Sequence, residues 1–244
     1  MKYDSHCHLD LMNNMMSIVQ EFKKENLGML AVGTTPKAYL KEAAMCSNMK
    51  NIHVALGLHP QLVGSEYDDW ELFELLAKQC HYIGEIGLDF SINCIATKNR
   101  QLEIFEKILR CCEQYNDKVV SVHSLRSSST VIELLKKTKQ STKNIYILHW
   151  FTGSLIQIKT ALELGCFFSI NPKMLQTKSG IERIQNIPPQ RILLETDAPF
   201  SIRFQNAKQL EIILQNIVDN LSILKGVDMK KYLIYNQERV FKYL

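Results

Sequence analysis

The sequence lacks several features that would assign it to a particular class of protein. It has no apolar run long enough to span a bilayer, which excludes an ordinary transmembrane helix. It has no run of like charge that would form a nucleic-acid-binding tail, and its net charge of +4 is too small to indicate a polyanionic partner. Because no low-complexity tract or Pro/Gly-rich linker divides the chain, we expect residues 1–244 to form one domain.

A cysteine pattern typical of disulfides or of a metal site is also absent. The number of cysteines, seven, is odd, none of them forms a CxxC motif, and no secretory apolar segment precedes the first predicted strand. These observations argue against disulfides and favour a reduced, cytoplasmic compartment. The composition, with 46% hydrophobic and 22% charged residues, is ordinary for a globular protein. The length of 244 residues lies within the size range of a single α/β barrel.

What the sequence does contain is an alternation of short β-type runs with amphipathic helical patterns. The predicted strands occupy the first ten residues, 28–33, 52–57, 82–85, 119–123, 145–149, 166–170 and 191–195. The predicted helices occupy 11–24, a segment opened by Thr35-Pro36, 69–79, 97–114, 127–139, 155–164, 181–186, 207–225 and 228–243. Eight strands, each followed by a helix, predict a parallel sheet that closes into a (β/α)8 TIM barrel.

Side chains of the metal-ligand type stand at the ends of five predicted strands. His6 and His8 are separated by one residue on an extended segment, so both imidazoles project to the same side. A lone His-x-His motif is weak support for a metal site, because it also occurs in ordinary loops. The inference depends on four further residues at strand ends, namely Glu85, His123, His149 and Asp197. Since the active site of a barrel lies at the C-terminal ends of its strands, we expect all six to lie together.

These six ligands predict two metal ions rather than one. Imidazole and carboxylate groups suit Zn²⁺, Mn²⁺, Fe²⁺ or Co²⁺ well, and Mg²⁺ less well. Six ligands are too many for one tetrahedral zinc ion with an open position. We expect one ion on the two histidines of the first strand and Asp197, and the other on His123 and His149, with Glu85 as the bridge. Two such ions can activate a shared water, and Asp197 can orient that water and take its proton, which predicts metal-assisted hydrolysis.

The sequence closely resembles the TatD-type metal-dependent deoxyribonucleases over nearly its whole length. The resemblance is carried, in order, by Asp4-Ser5-His6-Cys7-His8-Leu9-Asp10, Gly57-Leu58-His59-Pro60, Gly84-Glu85-Ile86-Gly87-Leu88-Asp89-Phe90, Val122-His123-Ser124, His149-Trp150-Phe151-Thr152-Gly153-Ser154, Glu195-Thr196-Asp197-Ala198-Pro199-Phe200 and Asn236-Gln237-Glu238-Arg239-Val240-Phe241. It implies the same six metal ligands, with Glu85 shared between two divalent ions such as Mg²⁺, Mn²⁺ or Zn²⁺. It also implies cleavage of phosphodiester bonds in DNA, often exonucleolytic and from the 3′ end.

The chain departs from this family at the rim where substrate would bind. Phe90 is followed by Ser-Ile-Asn, where the family has tyrosines and an arginine, and the family's arginine after the strand-five histidine is Leu125, with Arg126 next to it. The Arg-Asn-x-Pro element that follows Asp-Ala-Pro in the family is missing. This shortened form is most similar to the TatD-like subunit of bacterial Qat anti-phage operons, which implies a role in defence and defence-system protein partners.

Several other residues have two interpretations. His59 would contact a substrate phosphate or fix its own loop. Lys173 follows the seventh strand and is a phosphate contact or a solvated lysine, and Trp150 would stack on a base or pack at the barrel mouth. Glu195 is expected to support a ligand rather than to bind metal. The remaining histidines, His53 and His81, are expected to be structural or surface residues.

Two alternatives to a DNA nuclease are compatible with the same residues. The first is an amidohydrolase or phosphotriesterase that acts on a small ester; many of these enzymes bridge their metals with a modified lysine, whereas this chain has Glu85 on strand four. The second is an interaction subunit that needs partner proteins and whose metal site is vestigial. The presence of all six predicted ligands argues against a decayed site.

Overall fold

A computed structural model describes residues 1–22, 26–140 and 142–241 of the chain. It contains the eight predicted strands, at Lys2–Cys7 (β1), Leu27–Val32 (β2), Ile52–Ala55 (β3), Tyr82–Asp89 (β4), Val119–Leu125 (β5), Ile145–His149 (β6), Phe167–Ile170 (β7) and Ile192–Leu194 (β8). The α-helices of the described residues are Met15–Phe22 (α1), Pro36–Cys46 (α2), Trp70–Ala77 (α3), Lys98–Glu113 (α4), Ser128–Thr138 (α5), Leu155–Glu163 (α6), Lys178–Asn186 (α7), Ala207–Lys225 (α8) and Met229–Val240 (α9).

The strands run parallel in two sheets, in the orders β1-β2-β3 and β4-β5-β6-β7-β8. One seam between the sheets is closed by backbone hydrogen bonds, in which Leu56 N donates to Tyr82 O at 3.0 Å and Gly84 N donates to Leu56 O at 2.8 Å. The other seam joins β8 to β1, where Ser5 Oγ donates to Leu194 O at 2.6 Å. Just beyond β8, Asp197 N donates to His6 O at 2.8 Å. The predicted (β/α)8 barrel is therefore confirmed.

The apolar core has two parts. A smaller cluster inside the barrel contains residues of successive strands, such as Leu30, Val119, Ile147, Phe167 and Leu193. The larger cluster lies between the strands and the helices. Strand residues therefore alternate between the two clusters, as expected for a parallel barrel covered by helices. None of the described helices is long and apolar enough to cross a membrane.

Some predicted boundaries were wrong. The helix predicted over 11–24 is a one-turn 3-10 helix at Leu9–Leu11 followed by the shorter α1, because the chain first turns across the barrel mouth and buries Leu9. Residues 23 and 24 of that prediction lie outside the described residues, as do 242 and 243 at the predicted end of α9. Helix α7 begins at Lys178 rather than at 181, since the Thr177 side chain accepts a hydrogen bond from Gly180 N and caps it. Strand β4 continues to Asp89.

Candidate metal centre

Glu85 is the centre of a buried cluster at the C-terminal end of the barrel. Its side chain is about 1% exposed. Its Oε2 atom lies 2.9 Å from His8 Nε2 and 3.3 Å from His6 Nε2. Its Oε1 atom lies 2.7 Å from His123 Nδ1 and 2.8 Å from His149 Nε2. Each oxygen of one carboxylate therefore faces a different pair of histidines.

Asp197 completes this cluster from the segment that follows β8. Its Oδ1 atom lies 3.6 Å from His8 Nε2 and 3.8 Å from His6 Nε2. Its backbone has a φ of 47°, in the left-handed region, and its N–H is held by His6 O. Burial raises the pKa of the Asp197 carboxyl to about 7 in the absence of metal. The structure thus brings together all six side chains that the sequence predicted as ligands.

Local irregularities in two strands aim these side chains inward. The register of β1 shifts between Asp4 and Cys7, and that of β4 shifts between Ile83 and Ile86, around Glu85. Irregularities of this kind re-aim side chains and are common beside active sites. Ring centroids of His6 and His8 lie 5.2 Å apart as a result of their shared inward direction, which the sequence predicted.

Close contact between three backbone segments fixes the position of Glu85. Its N–H donates to Gly33 O at 3.0 Å, and its carbonyl accepts from Leu58 N at 3.1 Å. A Cβ atom added to Gly57 would lie 1.7 Å from Gly33 O and 2.8 Å from Glu85 N. Glycine is therefore required at position 57, because any side chain would separate the ends of β2, β3 and β4.

Three of the histidines also contact a polar group on the side away from Glu85. His6 Nδ1 lies 2.8 Å from Ser121 Oγ. His149 Nδ1 lies 3.8 Å from Glu195 Oε2, and His123 Nε2 lies 3.5 Å from Asp89 Oδ2. Of the three contacts, the one between His6 and Ser121 is a hydrogen bond. Polar partners on the outer nitrogen favour the tautomer in which the nitrogen facing the cluster keeps its lone pair.

The two supporting carboxylates are themselves held in place. Glu195 accepts hydrogen bonds from Asn171 Nδ2 at 2.9 Å, from Trp150 N at 3.1 Å and from the Ser169 hydroxyl. Asp89 accepts hydrogen bonds from the Gln61 amide and from Ser91 N, both at 2.8 Å. These hydrogen bonds, together with the neighbouring His123, hold the pKa of Asp89 below its usual value although burial opposes this.

The donor set fits divalent cations. Two buried atoms that face each other in the cluster, His6 Nε2 and Glu85 Oε2, have no hydrogen-bond partner. Glu85 Oε2 is the clearest case, because three imidazole nitrogens lie within 3.4 Å of it and none has hydrogen-bond geometry. Buried polar atoms are normally paired, and close atoms that do not pair with each other suit coordination of a cation between them. The ligand atoms of His6, His8 and Glu85, and likewise those of His59, Glu85 and His123, lie close enough together to surround an ion.

The metal-free protonation states of two ligands, His6 and Glu85, suit cation binding. At His8, His123 and His149 the neighbouring carboxylates outweigh burial and raise the pKa of the imidazole. Burial and the neighbouring His149 lower the pKa of His6 well below its ordinary value, so its imidazole is neutral. Burial opposes ionisation of Glu85, but the surrounding histidines outweigh it and hold the pKa of this carboxyl well below its usual range. A neutral imidazole and an ionised carboxylate are the forms that bind divalent metals.

His59 lies beside the cluster and differs from the other histidines. Its Nδ1 atom accepts a hydrogen bond from Gln61 N at 3.2 Å. Burial lowers the pKa of His59, so the ring is neutral and the proton resides on Nε2. This Nε2 atom lies 3.4 Å from Glu85 Oε2. His59 is therefore a hydrogen-bond donor aimed at the cluster rather than a nitrogen with a lone pair for a metal.

A cavity of about 350 Å³ opens above the cluster. Its wall includes His59, Leu125, Trp150, Thr152 and Phe200. His53 does not reach it, because its ring stacks on Tyr82 at the opposite end of the barrel, with centroids 4.6 Å apart. The neighbouring His81 also contacts Tyr82 there.

Sequence reasoning missed Ser121, Ser169 and Asn171, and gave Asp89 no role. A signal for the first three was available, because Ser121 lies two residues before His123 on β5. Ser169 and Asn171 follow Phe167 at the same spacing on and beyond β7. Residues two apart on a strand share a face, so all three point into the barrel.

Comparisons with known proteins found a matching family, related sequences and similar structures. A family model described as "TatD related DNase" matches residues 3–242. An uncharacterized metal-dependent hydrolase of Buchnera aphidicola is 26% identical over 247 residues, which cover 93% of this chain and 92% of that protein. The 3′-5′ ssDNA/RNA exonuclease TatD of Klebsiella pneumoniae is 31% identical over 180 residues, which cover 71% of this chain and 67% of that protein. The crystal structure of YjjV, a TatD homolog from Escherichia coli, superposes with a TM-score of 0.83 at 22% identity and covers 99% of this chain and 98% of that one.

Proposed function

Because this chain belongs to the TatD-related DNase family of metal-dependent hydrolases, we propose that it hydrolyses phosphodiester bonds in DNA from the end of a strand. The observation that carries the proposal is the arrangement around Glu85, whose two oxygens each face a separate pair of histidines at 2.7–3.3 Å. One buried carboxylate is thereby placed to bridge two sets of potential metal ligands.

We propose that the site holds two divalent cations, with Glu85 as the shared ligand. The pair His6 and His8, together with Asp197, would hold one ion, and His123 and His149 would hold the other. Bound there, such ions would supply Lewis-acid activation of water and neutralise charge on the phosphate.

The chain's own residues orient the substrate and move the proton. The Nε2–H group of His59 would donate to a non-bridging oxygen of the phosphate, which is one of the two interpretations that the sequence left open. Asp197 Oδ1 would orient the attacking water and accept its proton. Ser121, Asp89 and Glu195 would keep the ligand histidines in the tautomers that leave the inward nitrogens unprotonated.

The competing proposal, hydrolysis of a small ester, is less well supported. The β4 position, where many such enzymes of this fold carry a modified lysine, holds Glu85 in this chain. A panel of small phosphate and carboxylate esters tested beside DNA separates the two. The defence role, its protein partners and the cytoplasmic location remain predictions.

The test is digestion of single-stranded DNA, labelled at either end, by protein loaded with Mg²⁺, Mn²⁺ or Zn²⁺. We expect metal-dependent shortening of the strand that a chelator stops and that Glu85→Ala abolishes. Glu103→Ala, which removes a carboxylate on the surface of α4, is the matched control and should cleave like wild type. Undiminished cleavage by Glu85→Ala would contradict the proposal.

A further inference from the structure

Three side chains from successive loops stand at the mouth of the cavity above Glu85, and two of them, Trp150 and Phe200, line it. Trp150 follows β6, Lys173 follows β7 and Phe200 follows β8. The Lys173 ammonium lies 5.2 Å from the centroid of the Trp150 ring and donates a hydrogen bond to Phe200 O at 2.8 Å. We call this set the aromatic wall. Lys173 thus ties the two aromatic residues to each other across the mouth of the barrel.

Neither aromatic side chain of the wall is fully buried, although Trp150 packs in part against the core. Phe151, next to Trp150, is 1% exposed and packs against Phe168 with ring centroids 5.5 Å apart. Phe200 is 56% exposed, and its ring meets His8 edge-on at a centroid distance of 5.2 Å. Trp150 is half-buried, lines the cavity, and has its backbone fixed by a hydrogen bond to Glu195. Exposed apolar surface at the rim of a polar site indicates a ligand that covers it.

Charge around the mouth shows from which side an anion would approach. Arg126, Lys173 and Arg203, in the segments after β5, β7 and β8, are all exposed. Those segments (126–127, 171–177 and 195–206, all of them described) have no exposed acidic residue. The segment after β3, across the mouth, carries the exposed Glu66, while its Asp68 and Asp69 are half-buried and paired with Arg100 and Lys37. A polyanion is therefore attracted to the half of the rim that contains the aromatic wall.

We infer that the aromatic wall is the subsite that stacks the unpaired terminal base of a DNA strand whose phosphate lies at Glu85. This inference rests on the proposed function. Stacking on aromatic side chains accepts any base, because every base has a π-face, and it requires the base to be out of a duplex. The ammonium of Lys173 has three N–H donors, one of which holds Phe200 O, and its charge lies beside the backbone phosphates of the stacked nucleotide.

The test compares two ten-nucleotide oligothymidylates. One is intact, and in the other the first and the last nucleotides are both abasic. Wild type should cleave the intact strand faster. Trp150→Ala should lower kcat/KM for the intact strand about tenfold, the effect expected for one lost stacked base, and leave the rate on the abasic strand unchanged. Trp150→Phe should restore most of the difference. Ile156→Ala, at an apolar residue 79% exposed outside the cavity wall, is the matched control and should behave like wild type.

A binding measurement keeps this inference separate from nuclease activity. The chain has two tryptophans, so the Trp70→Phe variant reports on Trp150 alone. With a chelator present, the intact oligothymidylate should quench its fluorescence and a fully abasic strand should not. Equal quenching by both strands, or an equal loss of rate on both strands in Trp150→Ala, would overturn the inference while the nuclease proposal stands. Base-dependent quenching without cleavage of any DNA would support the subsite and defeat the nuclease proposal.

Discussion

Two buried glutamates at opposite ends of the barrel are held in different ways. Glu113, at the end of α4, accepts hydrogen bonds from Gln140 N at 2.7 Å, Thr142 Oγ1 at 2.8 Å, Asn144 Nδ2 at 3.2 Å and Tyr146 OH at 2.5 Å. Both of its oxygens are satisfied by groups that carry hydrogens of their own. Glu85 is surrounded by imidazole nitrogens instead, and one of its oxygens has no hydrogen-bond partner.

Under the proposed function, this difference separates a carboxylate that stabilises the fold from one that binds metal. A buried charge costs free energy unless it is paired, and Glu113 is paired by neutral donors within the chain. The pairing around Glu85 is incomplete within the chain, and under the proposed function cations would complete it. Burial alone therefore does not identify a functional carboxylate, but the chemistry of its neighbours does.

The largest expected effect is on Glu85 itself. Glu85→Gln keeps the shape of the side chain but removes the charge shared between the two sets of histidines. We expect DNA cleavage to fall by more than about 100-fold, beyond the loss seen when only a supporting residue is changed. The same variant should lose the rise in melting temperature that Mn²⁺ gives to wild type, measured by thermal unfolding. An unchanged response to Mn²⁺ would show that Glu85 is not a ligand.

Glu113→Ala should reverse this pattern. It leaves four donors without their acceptor, so we expect the free energy of unfolding to fall by about 3 kcal/mol. Specific cleavage by the folded fraction should stay within about twofold of wild type, because Glu113 lies far from the cluster. Urea denaturation beside an activity assay measures both quantities. A variant of normal stability and low activity would remove the contrast between the two glutamates.

A third buried glutamate, Glu195, sharpens the comparison because it shares features of both. Glu195→Gln keeps an oxygen for its hydrogen-bond donors but turns an amide toward His149 Nδ1. We expect a loss of about 10–100-fold in metal affinity or activity. The readout is the Mn²⁺ concentration that gives half-maximal cleavage, which should rise. A lower maximal rate with the same Mn²⁺ dependence would show that Glu195 does not contribute to metal binding.

A fourth buried glutamate, Glu42 on α2, is 1% exposed, and its two oxygens have no hydrogen-bond partner. Burial raises its pKa from 4.5 to about 8. Between these values the unfolded chain has lost the proton that the folded chain keeps, so stability falls as pH rises from 4.5 to 8, by at most about 1.4 kcal/mol per pH unit.

Glu42→Gln removes this titration. The variant should match wild type at pH 4.5 and become increasingly more stable than wild type toward pH 8, as measured by urea unfolding at several pH values. Parallel pH profiles for the two proteins would contradict the assignment of a buried, protonated carboxyl at position 42.

Much of the fold and of the site follows from the sequence. The short apolar strands predict the barrel, and the polar residues at the ends of these strands predict the site. The eight strands were predicted within a few residues, and the six predicted ligands meet at one mouth. The shifts of register in β1 and β4 were not predictable, since they arise from contacts between strands far apart in the chain. The same reason explains why Asp89 went unassigned, because its partner His123 lies on the next strand.

The central claim is that Glu85 joins two cations, and anomalous X-ray diffraction from crystals soaked in Mn²⁺ tests it most directly. We expect two peaks about 3.5–4 Å apart, one on each side of the Glu85 carboxylate. The peak near His6 and His8 should be distinct from the peak near His123 and His149. A single peak, or two peaks that Glu85 does not contact, would contradict the account.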